Sequence, residues 1–143
     1  MDRNGFFELT DCIVHHDYIN PGIWCCIVTN PVFHTMDFPF ASVFYNISCG
    51  WTDINNIITS AEVLNSFVDT DYRRMGIRTL INYSIFNEHN CNTISTKAGS
   101  SEGGLSFLNS LGYKFDKNTG TWYITRKMFD SYITKKGIIL CEE

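Results

Sequence analysis

The chain has 143 residues, of which 44% are hydrophobic and 18% charged, a profile typical of a globular protein rather than a disordered one. Its formal net charge of −4 disfavours general binding to nucleic acid or to anionic membranes, so any anion site must be local. No stretch approaches the roughly 20 apolar residues that a membrane-spanning helix needs. We therefore expect a single domain over residues 1–143 with no membrane association.

Six cysteines lie mostly in apolar surroundings, such as IWCCIVT around Cys25 and Cys26. The sequence has no Cys-x-x-Cys and no His-x-x-x-His pair, which disfavours a metal site. No long apolar run of the secretory type stands in MDRNGFFELTDC at the start of the sequence. These features predict reduced core thiols, no metal and a cytoplasmic location.

The first half of the chain predicts strands after a short N-terminal segment. The stretch GIWCCIVTN is β-branched and aromatic and lies between Pro21-Gly22 and Asn30-Pro31, which favours a buried strand. FASVFYNIS and AEVLNSFVD predict the next two strands, and CGWTDINN supplies the turn between them. Because the connections are short, these strands are expected to pair antiparallel.

The second half combines helices and strands. From Gly76 to Ile85, apolar residues recur at helical spacing, which predicts a helix that packs one face on the sheet. CNTISTKA predicts a strand, SSEGGLSFLNSLGY a helix, and YKFDKNTGTWYITRKMF a closing hairpin with its turn at KNTG. This order predicts a mixed α/β (α+β) fold with a mostly antiparallel central sheet flanked by helices.

Three arginines surround a glycine at the predicted start of the first helix, in the stretch DTDYRRMGIRTLI. Cations at a helix N-terminus are disfavoured by about 0.3–1 kcal/mol each, because the helix dipole is positive there. An anion held between the arginines and the backbone amides would turn this penalty into charge-assisted hydrogen bonds. Arg73, Arg74 and Arg78, with Gly76 between them, therefore predict a phosphate-binding turn; the alternative is three solvated surface charges.

Two stretches resemble motifs of the GNAT superfamily of N-acetyltransferases. FVDTDYRRMGIRTLI resembles the family's acyl-CoA-binding motif, Arg/Gln-x-x-Gly-x-Gly/Ala after a strand, and SEGGLSFLNSLGY resembles its Asn-x-x-Ala-x-x-Phe-Tyr-x-x-x-Gly-Phe helix. The resemblance covers roughly residues 22–129 and implies a GNAT-like fold with acetyl-CoA as co-substrate. The coenzyme-binding residues that it implies are Phe67, Val68, Arg73, Arg74, Met75, Gly76, Ile77, Arg78, Ser101 and Phe107.

Glu62 stands eleven positions before Arg73, a placement that resembles the base glutamate of the histone-type members of this family. An alkylamine, with an ordinary pKa of about 10.4, arrives protonated and needs a base or a water relay. Uninterrupted strand alternation up to Val68 would place Glu62, Leu64, Ser66 and Val68 on one face of the strand. The alternative is a strand-edge carboxylate that faces water.

Two departures from the family pattern bear on activity. Arg78 replaces the second small residue of the acyl-CoA motif, and Leu108 stands where many members carry a tyrosine that protonates the departing thiolate. Tyr83, Tyr113 and Tyr123 remain candidates for a replacement acid. The resemblance thus implies acetyl transfer by direct attack to an amine, with a catalytically weak or inactive CoA-binding or protein-interaction module as the alternative.

The acceptor cannot be carried over from the resemblance, because the first sixty residues match the family poorly. A protein lysine, a protein N-terminus and a small-molecule amine all remain candidates. A nucleic-acid partner is disfavoured by the net charge of −4, and a homodimer is left open.

Overall fold

The computed structural model describes residues 12–29, 41–51, 57–68, 76–97 and 108–138. Within these ranges the strands are β1 (Ile13–Asn20), β2 (Ile23–Thr29), β3 (Ala41–Trp51), β4 (Ile57–Val68), β5 (Thr93–Lys97), β6 (Lys114–Asp116) and β7 (Thr121–Thr125). The helices are α1 (Ile77–His89) and α2 (Arg126–Lys136), and residues 108–110 are also helical.

The seven strands form one sheet in the order β1-β2-β3-β4-β5-β7-β6. Neighbouring strands pair antiparallel except β4 and β5, which pair parallel. A parallel pair needs a crossover connection, and α1 provides it between these two strands. The predicted mixed α+β fold with a mostly antiparallel sheet is confirmed.

Two elements differ from the sequence prediction at the ends of the described chain. The segment before Pro21 is an eight-residue strand, β1, which pairs along β2. The closing hairpin ends at Thr125, and the residues RKMF that follow begin α2 instead of extending a strand. The Thr125 hydroxyl accepts a hydrogen bond from the Met128 backbone N–H at 3.1 Å, and this N-cap starts the helix.

The strands β3 and β4 are also longer than predicted. Residues 49–51, assigned to a turn from the sequence, continue β3, and β4 begins at Ile57 rather than at Ala61. The extra residues pair with one another, from Cys49 opposite Thr59 to Trp51 opposite Ile57. Pairing across the sheet therefore overrides the local turn propensity of this stretch.

The core lies between one face of the sheet and α1. Its centre is formed by fully buried side chains from five strands and the helix, namely Cys26, Val28, Val43, Ala61, Ile81, Ile85, Ile94 and Ile124. Phe129 of α2 packs against Phe86 of α1, with ring centroids 5.3 Å apart. Both described helices therefore contribute to the same core, on one side of the sheet.

A β-bulge interrupts β4 at Leu64. Tyr45 pairs with Val63 and Phe44 pairs with Asn65, so that Leu64 is an extra residue on β4. A bulge of one residue reverses the alternation beyond it. The predicted common face for Glu62, Leu64 and Ser66 is therefore wrong, because Ser66 lies opposite the buried Val43 on the core face.

Candidate functional site

The parallel strands β4 and β5 pair over only four residues. Their ladder runs from Ser60 with Thr93 to Val63 with Thr96, and the Thr96 hydroxyl donates to the Val63 carbonyl at 3.2 Å. Beyond Val63, β4 continues beside β3 as far as Val68, where it pairs with Ala41. In the described part of the chain, the β5 side of this extension has no ladder partner. We call this opening, bounded by residues 64–68 and the end of β5, the fork.

The fork lies where ligands bind in open sheets, outside the carboxyl ends of parallel strands. The main-chain groups of residues 64–68 that have no ladder partner among the described residues on the β5 side can form hydrogen bonds to an extended ligand, as an added strand would. Phe67 is 49% exposed there, so its side chain is not part of the core. This geometry suits a long, amide-bearing ligand that enters between the two strands.

Helix α1 connects the parallel strands β4 and β5, so it starts at the end of the sheet where β4 stops. Gly76 precedes it with φ +83°, a left-handed conformation that favours glycine. Its carbonyl accepts from the Leu80 N–H at 3.0 Å, and no side chain of the described residues caps this end of the helix. The first turn also contains no acidic residue, so its N–H groups and dipole are available to an anion.

Arg78 is buried, with only 5% of its surface exposed. Its Nη1 donates to Asn82 Oδ1, one turn further along α1, and the Tyr113 hydroxyl lies 3.4 Å from the same oxygen. Arg78 Nε and Asn82 Nδ2 are buried and have no hydrogen-bond partner in the part of the chain that the structure describes. The alternative of a solvated surface charge is therefore wrong for Arg78, whose guanidinium lies inside the protein.

The other residues of the predicted coenzyme site fall into two groups. Ile77 is fully buried at the first position of α1, and Val68 ends β4 beside the fork. The remaining ones lie outside the described residues, namely Arg73, Arg74, Met75, Ser101 and Phe107. Of the predicted coenzyme-binding residues that the structure describes, Phe67 and Val68 end β4 and Gly76 precedes α1, at the same end of the sheet.

Glu62 is half-buried on the face of the sheet opposite α1. It pairs with Asn46 of β3 on one side and with Ser95 of β5 on the other. The same row continues through Tyr123 of β7 to Lys114 of β6. Glu62 therefore lies one residue before the fork, within a row of polar side chains that crosses five strands.

A hydrogen-bonded network that sequence reasoning did not find lies on the core face. His16 Nδ1 is 2.7 Å from the Tyr45 hydroxyl, and His16 Nε2 is 2.6 Å from the Ser84 hydroxyl. The Tyr45 hydroxyl also lies 2.7 Å from His89 Nε2. Burial raises the pKa of Tyr45, so its phenol keeps its proton. The network joins β1, β3 and α1.

Burial lowers the pKa of both histidines in this network. Glu88 opposes that effect at both His16 and His89, and Asp17 opposes it at His16. The charges of His89 and His15 lower the pKa of His16 further. The fold therefore favours the neutral form of both imidazoles.

Three of the cysteines in the described ranges are free thiols buried in the protein: Cys25, Cys26 and Cys91. Burial raises the pKa of Cys26 to about 12 and that of Cys91 to about 11, which disfavours a thiolate nucleophile at either position.

The described residues include no group of three His, Cys, Asp or Glu that could hold a metal ion. None of the described helices is long and apolar enough to cross a membrane.

No protein-family model and no curated protein sequence matches this chain. Solved structures do match it over most of its length. The KacTA–DNA complex aligns with a TM-score of 0.55 at 12% identity, covering 82% of this chain and 76% of that one. A mutant AtaT toxin aligns with a TM-score of 0.55 at 10% identity, covering 90% and 98% of the two chains. This chain has the fold of the GNAT acetyltransferases.

A further structure with the GNAT fold is the mutant AtaT toxin bound to the C-terminus of the antitoxin AtaR and acetyl-CoA. It aligns with a TM-score of 0.51 at 15% identity, covering 78% of this chain and 73% of that one. The resemblance drawn from the two sequence motifs is therefore confirmed for the fold. Within this fold, the described residues of the predicted acyl-CoA motif lie at the start of α1, which follows β4 in the chain.

Proposed function

We propose that this protein transfers an acetyl group from acetyl-CoA to an amine by direct attack. The observation that carries the proposal is the fork between β4 and β5, with the uncapped start of α1 at Gly76 beside it. A slot with unpaired main-chain groups that ends at a helix N-terminus fits a ligand with an amide-bearing arm and a diphosphate. The acetyl-CoA bound to a structural neighbour with the same fold supports this choice of ligand.

In this proposal, the coenzyme lies along the fork with its diphosphate at the start of α1. Main-chain groups of Phe67 and Val68 bind the pantetheine arm, and residues 73–77 surround the diphosphate. The motif resemblance adds Ser101 and Phe107 on the other side. Arg78 contributes its positive charge from inside the protein, and it reaches a phosphate only if its guanidinium leaves Asn82.

The chemistry follows from the position of Glu62 one residue before the fork. The acceptor amine loses a proton to Glu62, directly or through water, and its nitrogen attacks the thioester carbonyl. The new carbon–nitrogen bond forms as the carbon–sulfur bond breaks, and the CoA thiolate leaves and takes up a proton. Main-chain N–H groups of residues 64–68 would stabilise the negative charge that develops on the carbonyl oxygen.

The acceptor class is the broadest part of the proposal. A protein lysine, a protein N-terminus and a small-molecule amine all fit a half-buried carboxylate that faces solvent. One structural neighbour is AtaT complexed with acetyl-methionyl-tRNAfMet, at a TM-score of 0.51 and 12% identity. The net charge of −4 is therefore weak ground for excluding a nucleic-acid partner, and an aminoacyl-tRNA belongs among the acceptors to test. We place the reaction in a single-domain cytoplasmic protein.

The second candidate is a GNAT-fold module that binds CoA or a protein partner without efficient turnover. Leu108 favours it, since this aliphatic side chain is buried and has no proton to give to a thiolate. The buried Arg78 also favours it, because a small residue at that position would leave more space near the start of α1.

Calorimetric titration with acetyl-CoA, CoA and dephospho-CoA tests the binding step, and thiol release across a panel of amines tests the chemistry. Binding of acetyl-CoA together with amine-dependent thiol release supports the transferase. Binding without thiol release from any acceptor supports the second candidate. The absence of binding to acetyl-CoA and to CoA contradicts the transferase and the CoA-binding form of the second candidate, and leaves only the protein-interaction form.

A further inference from the structure

The proposed acetyl transfer needs a proton donor for the departing thiolate, and Leu108 cannot supply one. We propose that the hydroxyl of Tyr123 is this general acid, an inference that rests on the proposed function. Its basis is the place of Tyr123 on the sheet relative to Glu62 and the fork.

Tyr123 and Glu62 lie on the same face of the sheet. Glu62 pairs with Ser95 of β5, and Ser95 pairs with Tyr123 of β7, so all three side chains point to one side. Adjacent strands lie about 4.8 Å apart, which places the Cα atoms of Glu62 and Tyr123 about 10 Å apart. The residues one position earlier or later in the same strands are fully buried on the other face: Ala61, Ile94 and Ile124.

Ser95 leaves the space between the two side chains open. Its side chain is short, and the next residue, Thr96, forms the last pair of the β4–β5 ladder with Val63. Tyr123 therefore lies one strand away from the fork, and among the described residues Ser95 is the one that stands between Tyr123 and Glu62 in this row. Tyr123 is half-exposed, so its hydroxyl can recover a proton from solvent after each turnover.

The two other tyrosines that the sequence offered are held on the core face. The Tyr113 side chain is 2% exposed, and its hydroxyl lies 3.4 Å from Asn82 Oδ1 of α1. The ring of Tyr83 stacks on Phe129 at 6.4 Å between centroids, with 29° between the planes. Neither hydroxyl shares the face on which Glu62 lies.

The remaining described tyrosines are also engaged or distant. Tyr45 is fully buried in the histidine network, and the Tyr132 hydroxyl donates to the Ser110 carbonyl at 2.9 Å. Tyr18 lies on β1, four strands away from β5. Within the described ranges, Tyr123 is thus the tyrosine that lies on the Glu62 face one strand away from the fork.

The step balances without any other reactant. The amine proton passes to Glu62 and the nitrogen–carbon bond forms; the carbon–sulfur bond breaks, and its electron pair stays on sulfur. The Tyr123 hydroxyl transfers its proton to that sulfur, which leaves CoA as a thiol. Glu62 then releases the amine proton to water and the Tyr123 phenolate takes one proton up from water, so both residues return to their starting states.

The test compares Tyr123→Phe with Tyr132→Phe, a matched control whose hydroxyl bonds to the Ser110 carbonyl away from the fork. We expect Tyr123→Phe to keep acetyl-CoA affinity and thermal stability and to lower kcat by about 10²–10⁴-fold. The alkaline limb of its pH–rate profile should disappear, since that limb reports deprotonation of the acid. Tyr132→Phe should keep both kcat and the alkaline limb.

Wild-type thiol release by folded Tyr123→Phe, with the alkaline limb intact, would overturn the role of Tyr123 and leave the proposed acetyl transfer standing. A lowered kcat with an unchanged alkaline limb would also overturn it, because only a structural contribution would then be lost. Wild-type protein that binds acetyl-CoA yet releases no thiol with any amine would overturn the transferase proposal, and Tyr123 as its acid would be rejected with it.

Discussion

Tyr45 and His16 are joined by a 2.7 Å hydrogen bond between the phenol oxygen and Nδ1, in a chain of contacts that also includes Ser84 and His89. A phenol has one proton to donate and lone pairs to accept, so it can donate to one imidazole and accept from the other. The network can take up one additional proton, on one of the two imidazoles. If both His16 and His89 were protonated, two imidazolium rings would donate to the single oxygen of Tyr45 in the core.

We predict that acidification destabilises the fold through this network. Burial lowers the folded-state pKa of His16 and His89 from the ordinary value of about 6.5, so below that pH the unfolded chain binds more protons. The stability contributed by the neutral histidines is full above about pH 6.5 and is lost as the pH falls. Denaturant unfolding between pH 7.5 and 5 should show this decline in the wild type and a weaker decline in His16→Asn.

The neighbouring histidine provides the control for that experiment. His15 pairs with Ile27 and lies on the opposite face from His16, which pairs with the buried Cys26. His15→Asn removes only the smallest of the charge effects on His16 and leaves its burial intact, so this variant should keep most of the pH dependence of the wild type. An equal decline in wild type and His16→Asn would contradict the prediction and assign the acid sensitivity to other groups.

The start of α1 allows a test matched for backbone strain. Gly76 and Gly22 both have φ +83°, a conformation that costs a non-glycine residue about 1–2 kcal/mol. Gly76→Asp also places a carboxylate at the proposed diphosphate position, whereas Gly22 lies in the β1–β2 turn with nothing within 4 Å of an added Cβ. Gly22→Asp is the control. Gly76→Asp and Gly22→Asp should lose similar stability, and only Gly76→Asp should lose acetyl-CoA binding, as measured by calorimetry. Unchanged affinity in folded Gly76→Asp would reject the diphosphate position.

Much of this fold could be read from local patterns. The β-branched run that contains Cys25 and Cys26 and the helical spacing after Gly76 predict β2 and α1, because burial of a periodic apolar face decides each element. The segment before Pro21 escaped prediction because its histidines, aspartate and asparagine are polar, and pairing with β2 makes it a strand. The alternation of TWYIT also continues smoothly into RKMF, so the helix start at Thr125 gave no break in the pattern.

The site was less predictable than the fold. A bulge adds one residue without altering local composition, so nothing in AEVLNSFVD marks Leu64 or the reversed faces that follow it. His16, Tyr45 and His89 are far apart in the sequence, and only the packing of α1 on the sheet brings them together. The predicted acyl-CoA motif stands out in the sequence because its glycine and arginines are close together and conflict with the helix dipole unless an anion is present.

The arginines before α1 are predicted to set coenzyme affinity. If they contact phosphates, Arg73→Ala or Arg74→Ala should weaken CoA binding by about 1–3 kcal/mol, the scale of a charged hydrogen bond. Binding by these variants should also depend less on salt concentration. Lys135→Ala, an exposed change in the last turn of α2, is the control and should alter neither quantity. Equal affinity of the wild type for CoA and dephospho-CoA would exclude a 3′-phosphate contact and leave the diphosphate contact in place.

The last prediction concerns Glu62 as the base. Its carboxylate is half-buried one residue before the fork, opposite Asn46 and Ser95, so a Gln side chain of nearly the same shape should fit there without disturbing the sheet. We expect Glu62→Gln to keep CoA affinity and to lower kcat by about 10²–10⁴-fold, with loss of the acidic limb of the pH–rate profile. The control is Glu88→Gln, which removes an exposed carboxylate of α1 and should keep the wild-type kcat and the acidic limb of the pH–rate profile. Wild-type turnover in Glu62→Gln would remove this residue from the mechanism and assign proton removal to solvent, since the fork would then work without a carboxylate beside it.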